Sequence, residues 1–408
     1  MESGTTRKQD GEPAPERFNR GSNQSGMRAY NERLVLSLVR RHGASAKSDI
    51  ARMTGLSAQT VSVIMRELEA DGLLLRGEPV RGRVGQPSVP MSLAPDGAWF
   101  YGLKLGRRSA DLVLTDFLGN VLEQVHHTYR YPTPGDMIRF VGEARARIDA
   151  TLGEKARARL AGLGIAMPFR MWDWAESIGA PPETAQAWRQ VDMRAEIAAR
   201  CDLPVFLEND ATAACSAELV FGRPGGPRDF VYFYIGFFVG GGIVLNGNLY
   251  PGRTGNAGAL GSMPVPGPDG RIRQLIDVAS IARLEQAMDA RGQASSILWD
   301  SPECWQVDPA ILDPWIEETA GGLAHAILSA ASVIDFEAAL IDGSMPESVR
   351  ARIVARTAER LATMNLAGIE APAVGEGTVG HNARALGAAA LPLLERFLVG
   401  QDAFLKEN

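Results

Sequence analysis

The chain has 408 residues, 45% of them hydrophobic and 22% charged, with a formal net charge of −6 at neutral pH. This is globular composition with length for about two or three domains. No run of about 18 uncharged apolar residues occurs, which argues against a membrane span. Three scattered cysteines, Cys201, Cys215 and Cys304, form neither a CxxC pair nor a disulfide framework. They read as small buried thiols in a reducing cytoplasm.

Residues 1–26 are polar and rich in Gly, Ser, Pro and charge, without the apolar core of a signal peptide, and are expected to be a disordered tail. Residues 27–94 read as a first folded unit. Leu34, Leu36, Leu38 and Val39 lie in a helix-length stretch ending at Gly43. Ser48-Asp49 begins a short helix carrying Ile50, Ala51 and Met53, and Gly55 supplies the tight turn after it. Ser57 is a natural N-cap, and Val61, Ile64, Met65 and Leu68 then recur at helical spacing as a buried face. The opposite face offers Ala58, Gln59, Thr60, Ser62 and Arg66.

Helix, glycine turn, capped helix is the pattern of a helix-turn-helix, whose second helix enters the major groove N-terminus first. Gln59, Thr60 and Ser62 are then placed for base edges or phosphates, with Lys47, Ser57 and Arg66 beside them. An ordinary solvated surface helix is the competing reading. Leu73–Leu75 and Ser88–Leu93 look like two strands of a wing. Between them Arg81, Arg83 and Gln86 sit among glycines and can reach a narrow minor groove, or simply face solvent. Charge agrees with the DNA reading. Residues 28–93 hold ten Lys/Arg against six Asp/Glu, so the acidic excess lies in the rest of the chain.

Pro95-Asp96-Gly97 punctuates the boundary to a second unit, residues 95–408. Trp99–Gly106, Ala110–Asp116 and a stretch after Asn120 read as three strands joined by turns. A helix near 135–154, a buried strand at Leu163–Pro168, a strand at Pro204–Asp210 and a small-residue helix from Ala211 to Val220 follow. Val231–Gly236 leads into Val239–Gly247, a glycine-rich hairpin. Beyond about residue 275 the chain reads as helical and alanine-rich with one strand, Ala338–Gly343. Alternating strands and helices indicate an α/β fold.

Leu207-Glu208-Asn209-Asp210-Ala-Thr-Ala-Ala, then Gly240-Gly-Gly-Ile-Val-Leu-Asn-Gly, then Gly255-Asn-Ala-Gly-Ala-Leu-Gly261, behind a winged helix-turn-helix, resembles the ROK family of repressors, open reading frames and sugar kinases. His381-Asn-Ala-Arg-Ala-Leu-Gly387 resembles the family's C-terminal end. The resemblance spans about residues 28–395 and implies an actin-like body of two ribonuclease-H-type α/β lobes around a cleft. Members with a head are mainly sugar-responsive regulators. Members without one are mainly ATP-dependent sugar kinases.

The chain departs from the kinases at each chemical station. Their Asp-x-Gly-Gly-Thr phosphate loop falls on Leu103-Lys104-Leu105-Gly106-Arg107-Arg108, so Lys104 stands where the Asp belongs. The Glu and His of Gly-Glu-x-Gly-His are Ala259 and Ser262, and no Cys-rich zinc loop follows. No metal and no cofactor are therefore expected. Asp210 matches the kinase base and Asn209 its sugar-binding neighbour; both can bind hydroxyls, or cap a helix, or do both. Gly164, Met167, Asn256 and Asp277 are further pocket candidates, and Trp172, Trp174 and Trp188 either stack on a ligand or pack internally. His126-His127 is a poor metal pair because strand neighbours face opposite ways, His325 reads as a core histidine, and 331–340 as core or dimer packing.

The resulting expectation is a cytoplasmic, non-enzymatic transcriptional regulator, more readily a repressor, of carbohydrate-related genes. It would bind a double-stranded DNA operator as a homodimer or homotetramer, with no membrane partner, and a sugar or sugar derivative as effector. A residual sugar kinase with a DNA-binding head and a ligand-free DNA-binding regulator are the competing readings.

Overall fold

The computed structural model describes residues 24–79, 88–174, 178–267 and 269–399. Three helices, α1 (Gln24–His42), α2 (Lys47–Thr54) and α3 (Ala58–Ala70), and a hairpin of β1 (Leu74–Arg76) with β2 (Met91–Leu93) form the head. Leu34, Val35, Leu36, Leu38 and Val39 are all buried, so α1 is covered on several sides. The helix-turn-helix forms because Ile50 of α2 and Val61, Ile64, Met65 and Leu68 of α3 share one apolar interior. The first wing strand is shifted by one residue from the expected Leu73–Leu75, and the second is shorter than expected, because Ser88–Pro90 fall outside the ladder. The wing residues Arg81, Arg83 and Gln86 lie outside the described residues.

The head core does not stop at the head. It runs on into Phe100 and Phe117 of the body and Ala389, Leu393 and Leu398 near the C-terminus. Arg33 Nε donates to the Leu398 carbonyl at 2.7 Å, and the Val399 amide donates to Ser37 Oγ at 3.0 Å.

The first lobe contains β3 (Trp99–Leu105), β4 (Ser109–Thr115), β5 (Val121–Thr128), β6 (Leu160–Ala166) and β7 (Val205–Glu208), in the order β5-β4-β3-β6-β7. The β3–β4–β5 meander is antiparallel, and β6 and β7 add in parallel. Helices α4 (Pro134–Thr151), α5 (Glu154–Ala158), α6 (Pro182–Gln190) and α7 (Met193–Ala198) belong to this half. α8 (Asp210–Phe221) leads to the second lobe, where β8 (Phe230–Ile235), β9 (Val239–Leu245) and β10 (Asn248–Leu249) make a second meander.

A short hairpin of β11 (Pro264–Pro266) and β12 (Ile272–Gln274) precedes α9 (Ile281–Asp289), α10 (Ile297–Asp300) and α11 (Pro309–Ala331). β13 (Ala338–Gly343) then joins β8 in parallel, and after α12 (Glu347–Ala362) β14 (Ala373–Glu376) joins β13. The order β10-β9-β8-β13-β14 repeats the topology of the first lobe, giving the actin-like pair of lobes. β14 replaces part of the helical stretch expected from the sequence; its run Ala-Val-Gly-Glu is too short to show an alternation.

α13 (Ala383–Phe397) lies against α8 and against β3 and β6. Glycines on both sides of the crossing permit that approach. A Cβ on Gly164 would sit 1.8 Å from the Ala388 carbonyl oxygen, and one on Gly387 1.8 Å from that of Ala213. Ala166, Ala213 and Ala388 fill the crossing.

Candidate nucleic-acid interface and interlobe cleft

Gly55 takes φ +66° between α2 and α3, the left-handed conformation that favours glycine. Ser57 then caps α3, accepting from the Thr60 amide at 3.1 Å and sharing a 2.8 Å hydroxyl hydrogen bond with Thr60. Lys47 Nζ donates to Ser62 Oγ at 3.3 Å, tying the two helices together on the polar side. Gln59 and Arg66 are exposed on that side. Of the expected contact residues, Gln59, Ser62 and Arg66 fall on one helical face of α3 with Lys47 beside Ser62, and Ser57 and Thr60 stand at the start of the helix.

The ten head cations are not equivalent. Arg28 pairs with Glu32 and Glu67, Arg52 with Asp49, and Arg76 with Glu69. Arg33 and Arg40 donate to carbonyls of the body. Lys47 and Arg66 form no close ion pair among the described residues, and both flank the exposed face of α3. Charge counting alone could not make this separation, because it depends on which acids fold against which arginines.

In the cleft, the position of the kinase phosphate loop holds a closed ionic cluster. Lys104, 5% exposed, donates to Ser109 Oγ at 2.6 Å and to Asp111 Oδ2 at 2.8 Å. Burial raises the Asp111 carboxyl, but Lys104 and His126 outweigh it and hold it well below the usual carboxylate range. Burial pulls the Lys104 ammonium down against the attraction of Asp111. His126 Nδ1 meets Asp111 Oδ1 at 2.6 Å, and its Nε2 meets the Trp299 carbonyl of the second lobe at 2.9 Å. The hydrogen bond to Asp111 raises the His126 pKa.

The hairpin between β3 and β4 also grips the second lobe. Arg108 forms a bidentate pair with Glu285 of α9, and the Glu285 carboxylate accepts a further 2.6 Å bond from Trp299 Nε1. Arg107 and Arg108 lie over the rings of Phe238 and Phe237 at 4.6 and 4.8 Å. Sequence reading singled out Lys104 but missed Arg108 as a clasp, because its partner lies 177 residues away.

Asn209 caps α8, accepting from the Ala211 and Thr212 amides at 3.1 and 3.4 Å. Asp210 pairs with the buried Arg384 of α13 at 3.3 Å. Gly164 packs against α13 rather than facing open space, and Met167 is buried in the first-lobe core. Asn256 and Asp277 are exposed. Trp188 is buried and donates to the Pro132 carbonyl, and Trp172 packs on the same core, so these two belong to the interior. His325 is half-buried and bonds the Gly321 carbonyl. Cys215 is buried as expected, but Cys304 is exposed, because it falls in the irregular segment between α10 and α11.

Residues 100–291 match the ROK family model, and residues 28–74 match a winged helix-turn-helix DNA-binding model. The chain is 24% identical over 391 residues to the uncharacterized protein y4fQ of Sinorhizobium fredii, covering 92% of this chain and 93% of that one. It is 25% identical over 244 residues to the xylose repressor of Bacillus spizizenii, an alignment spanning 60% of this chain and 62% of the repressor. A crystal structure of a ROK family transcriptional regulator, a homologue of the Escherichia coli MLC protein, superposes with a TM-score of 0.63 at 22% identity, covering 93% of this chain and 96% of that one.

Proposed function

From the premise that this chain belongs to the ROK family and carries a winged helix-turn-helix DNA-binding head, we propose that it is a sugar-responsive transcriptional regulator, acting as a repressor of carbohydrate-related genes. The exposed face of α3 supports this reading: Gln59 and Arg66 are outward, Ser57 and Thr60 fix the helix end, and Lys47 and Arg66 form no close ion pair among the described residues. The xylose repressor and an N-acetylglucosamine repressor among the relatives support carbohydrate control.

The body then serves as dimeriser and sensor. Two copies related by a two-fold axis would present two α3 helices to half-sites a whole number of helical turns apart. Effector binding between the lobes, at Asp210 and Arg384, would shift lobe closure and with it the head. The protein works in the cytoplasm on double-stranded DNA; among the described residues no helix is long and apolar enough to cross a membrane.

Phosphoryl transfer fits the geometry poorly. Lys104 occupies the metal-positioning station and is committed to Ser109 and Asp111, and Asp210, the residue aligned with the kinase base, is held by Arg384. Fluorescence-anisotropy titration of the full chain on its own upstream DNA, with and without a panel of sugars, tests the reading. Binding that a sugar weakens supports it, and affinity equal to that for random DNA refutes it.

A further inference from the structure

A cavity of about 730 Å³ lies in the seam between the head and the second lobe. Its walls come from Ser37, Arg40 and Arg41 of α1, from the Gly222–Arg228 loop after α8, from β10, and from Leu398 and Val399 beyond α13. None of the cleft residues lines it. Its volume is in the range of small-molecule sites, roughly 300–1,000 Å³.

The charges in its walls are unbalanced. Both acids are engaged: Glu218 accepts from the Thr378 amide and hydroxyl at 2.8 and 2.9 Å, and Glu376 pairs with Arg350 at 2.9 Å. Burial, aided by Asp342, pushes the Glu218 carboxyl up. Arg40, Arg223 and Arg228 form no ion pair among the described residues. Arg40 donates to the Phe117 and Leu118 carbonyls and lies over the Phe117 and Phe221 rings, but its Nε is buried without a hydrogen-bond partner. The exposed side chains of Arg223 and Arg228 make no ion pair or hydrogen bond among the described residues. Burial lowers the Arg40 guanidinium to about 10, with Asp116 opposing, so it stays charged at neutral pH. A charged guanidinium at the cavity wall attracts an incoming anion.

We propose that this seam cavity is a second ligand site, taking a small amphipathic organic anion whose carboxylate or phosphate meets Arg40, Arg223 and Arg228 and whose apolar part packs on Leu219, Leu249 and Leu398. Because Arg40 belongs to the head and Arg228 to the second lobe, the bound anion fixes one against the other.

Isothermal titration calorimetry of the full chain with phenyl phosphate and with benzoate tests this site. Inorganic phosphate and benzyl alcohol serve as the charge-only and apolar-only controls. At least one aromatic anion binds the wild type, and affinity falls roughly tenfold or more in Arg223→Ala/Arg228→Ala, whose unfolding midpoint is unchanged because both side chains are exposed. Binding persists in the cleft variant Asp210→Asn. No heat with either aromatic anion, equal affinity in the double variant, or loss of binding in Asp210→Asn overturns the proposal. Inorganic phosphate or benzyl alcohol binding as tightly as phenyl phosphate overturns the amphipathic class. The readout needs no DNA, so its failure is separable from failure of the regulator reading.

Discussion

Arg108, in the β3–β4 hairpin of the first lobe, clasps Glu285 on α9 of the second through a bidentate ion pair, with the two side chains only 13% and 10% exposed. The hairpin that would cradle nucleotide phosphates in a kinase here joins the lobes directly. Arg108→Ala strands the Glu285 carboxylate in a poorly hydrated site and is expected to cost about 3 kcal/mol of stability. Urea unfolding measures this, and an unchanged midpoint would mean that the clasp is not maintained in solution.

His126 gives that junction a pH dependence. Its two ring nitrogens face the Asp111 carboxylate and the Trp299 carbonyl, both acceptors, so the protonated ring satisfies both. Its folded pKa is raised, chiefly by the Asp111 hydrogen bond. The stabilisation is therefore full below the unfolded value of about 6.5 and is lost as pH rises through the folded pKa. The stability difference between wild type and His126→Gln is expected to shrink from pH 6 towards alkaline pH; a flat difference would remove His126 from this role.

On the head, Ser57→Ala removes the cap of α3 and is expected to cost about 1 kcal/mol. The loss should appear both as a lower thermal midpoint and as weaker operator binding. Thermal unfolding without any change in midpoint would show the cap to be dispensable.

Gly164→Ala drives a Cβ into the Ala388 carbonyl at 1.8 Å, a backbone atom that cannot swing aside. Overpacking of this kind costs about 3 kcal/mol, and more where no relaxation is open. Because the damage falls between α13 and the first-lobe sheet, soluble yield and thermal midpoint should both drop. A variant as stable as wild type would contradict the tight crossing.

Magnesium-ATP is expected to give no binding heat and no phosphoryl transfer to glucose. Lys104 sits at the metal-positioning station, bound to Asp111. Measured turnover above background would revive the kinase reading.

The head was legible because its signals are local: the Gly55 turn, the Ser57 cap and the Val61, Ile64, Met65, Leu68 spacing each lie within one helix of one another. The paired lobes were legible mainly through the glycine-rich segments that resemble the ROK body. The cleft was less so. Lys104 could be seen as a replaced Asp, but its neutralisation by Asp111 needs the β3–β4 pairing, and Asp210–Arg384 spans 174 residues. Gly164 and Met167 were expected in a pocket, whereas α13 and the first-lobe core cover them, because sequence does not show which sheet face a distant helix occupies. The fusion of head and body cores through Phe117, Leu393 and Leu398 was invisible for the same reason.

The most direct measurement is selection of genomic fragments on the full chain, followed by anisotropy titration of the enriched sequence at several salt concentrations with wild type, Gln59→Ala and Arg66→Ala. The expected result is a sequence of two symmetric half-sites. Arg66→Ala should weaken binding to all DNA and lower the salt slope by about one, while Gln59→Ala relaxes base preference at one position per half-site. Absence of an enriched sequence, with both variants binding DNA as wild type does, would contradict the assignment of α3 as the reading helix.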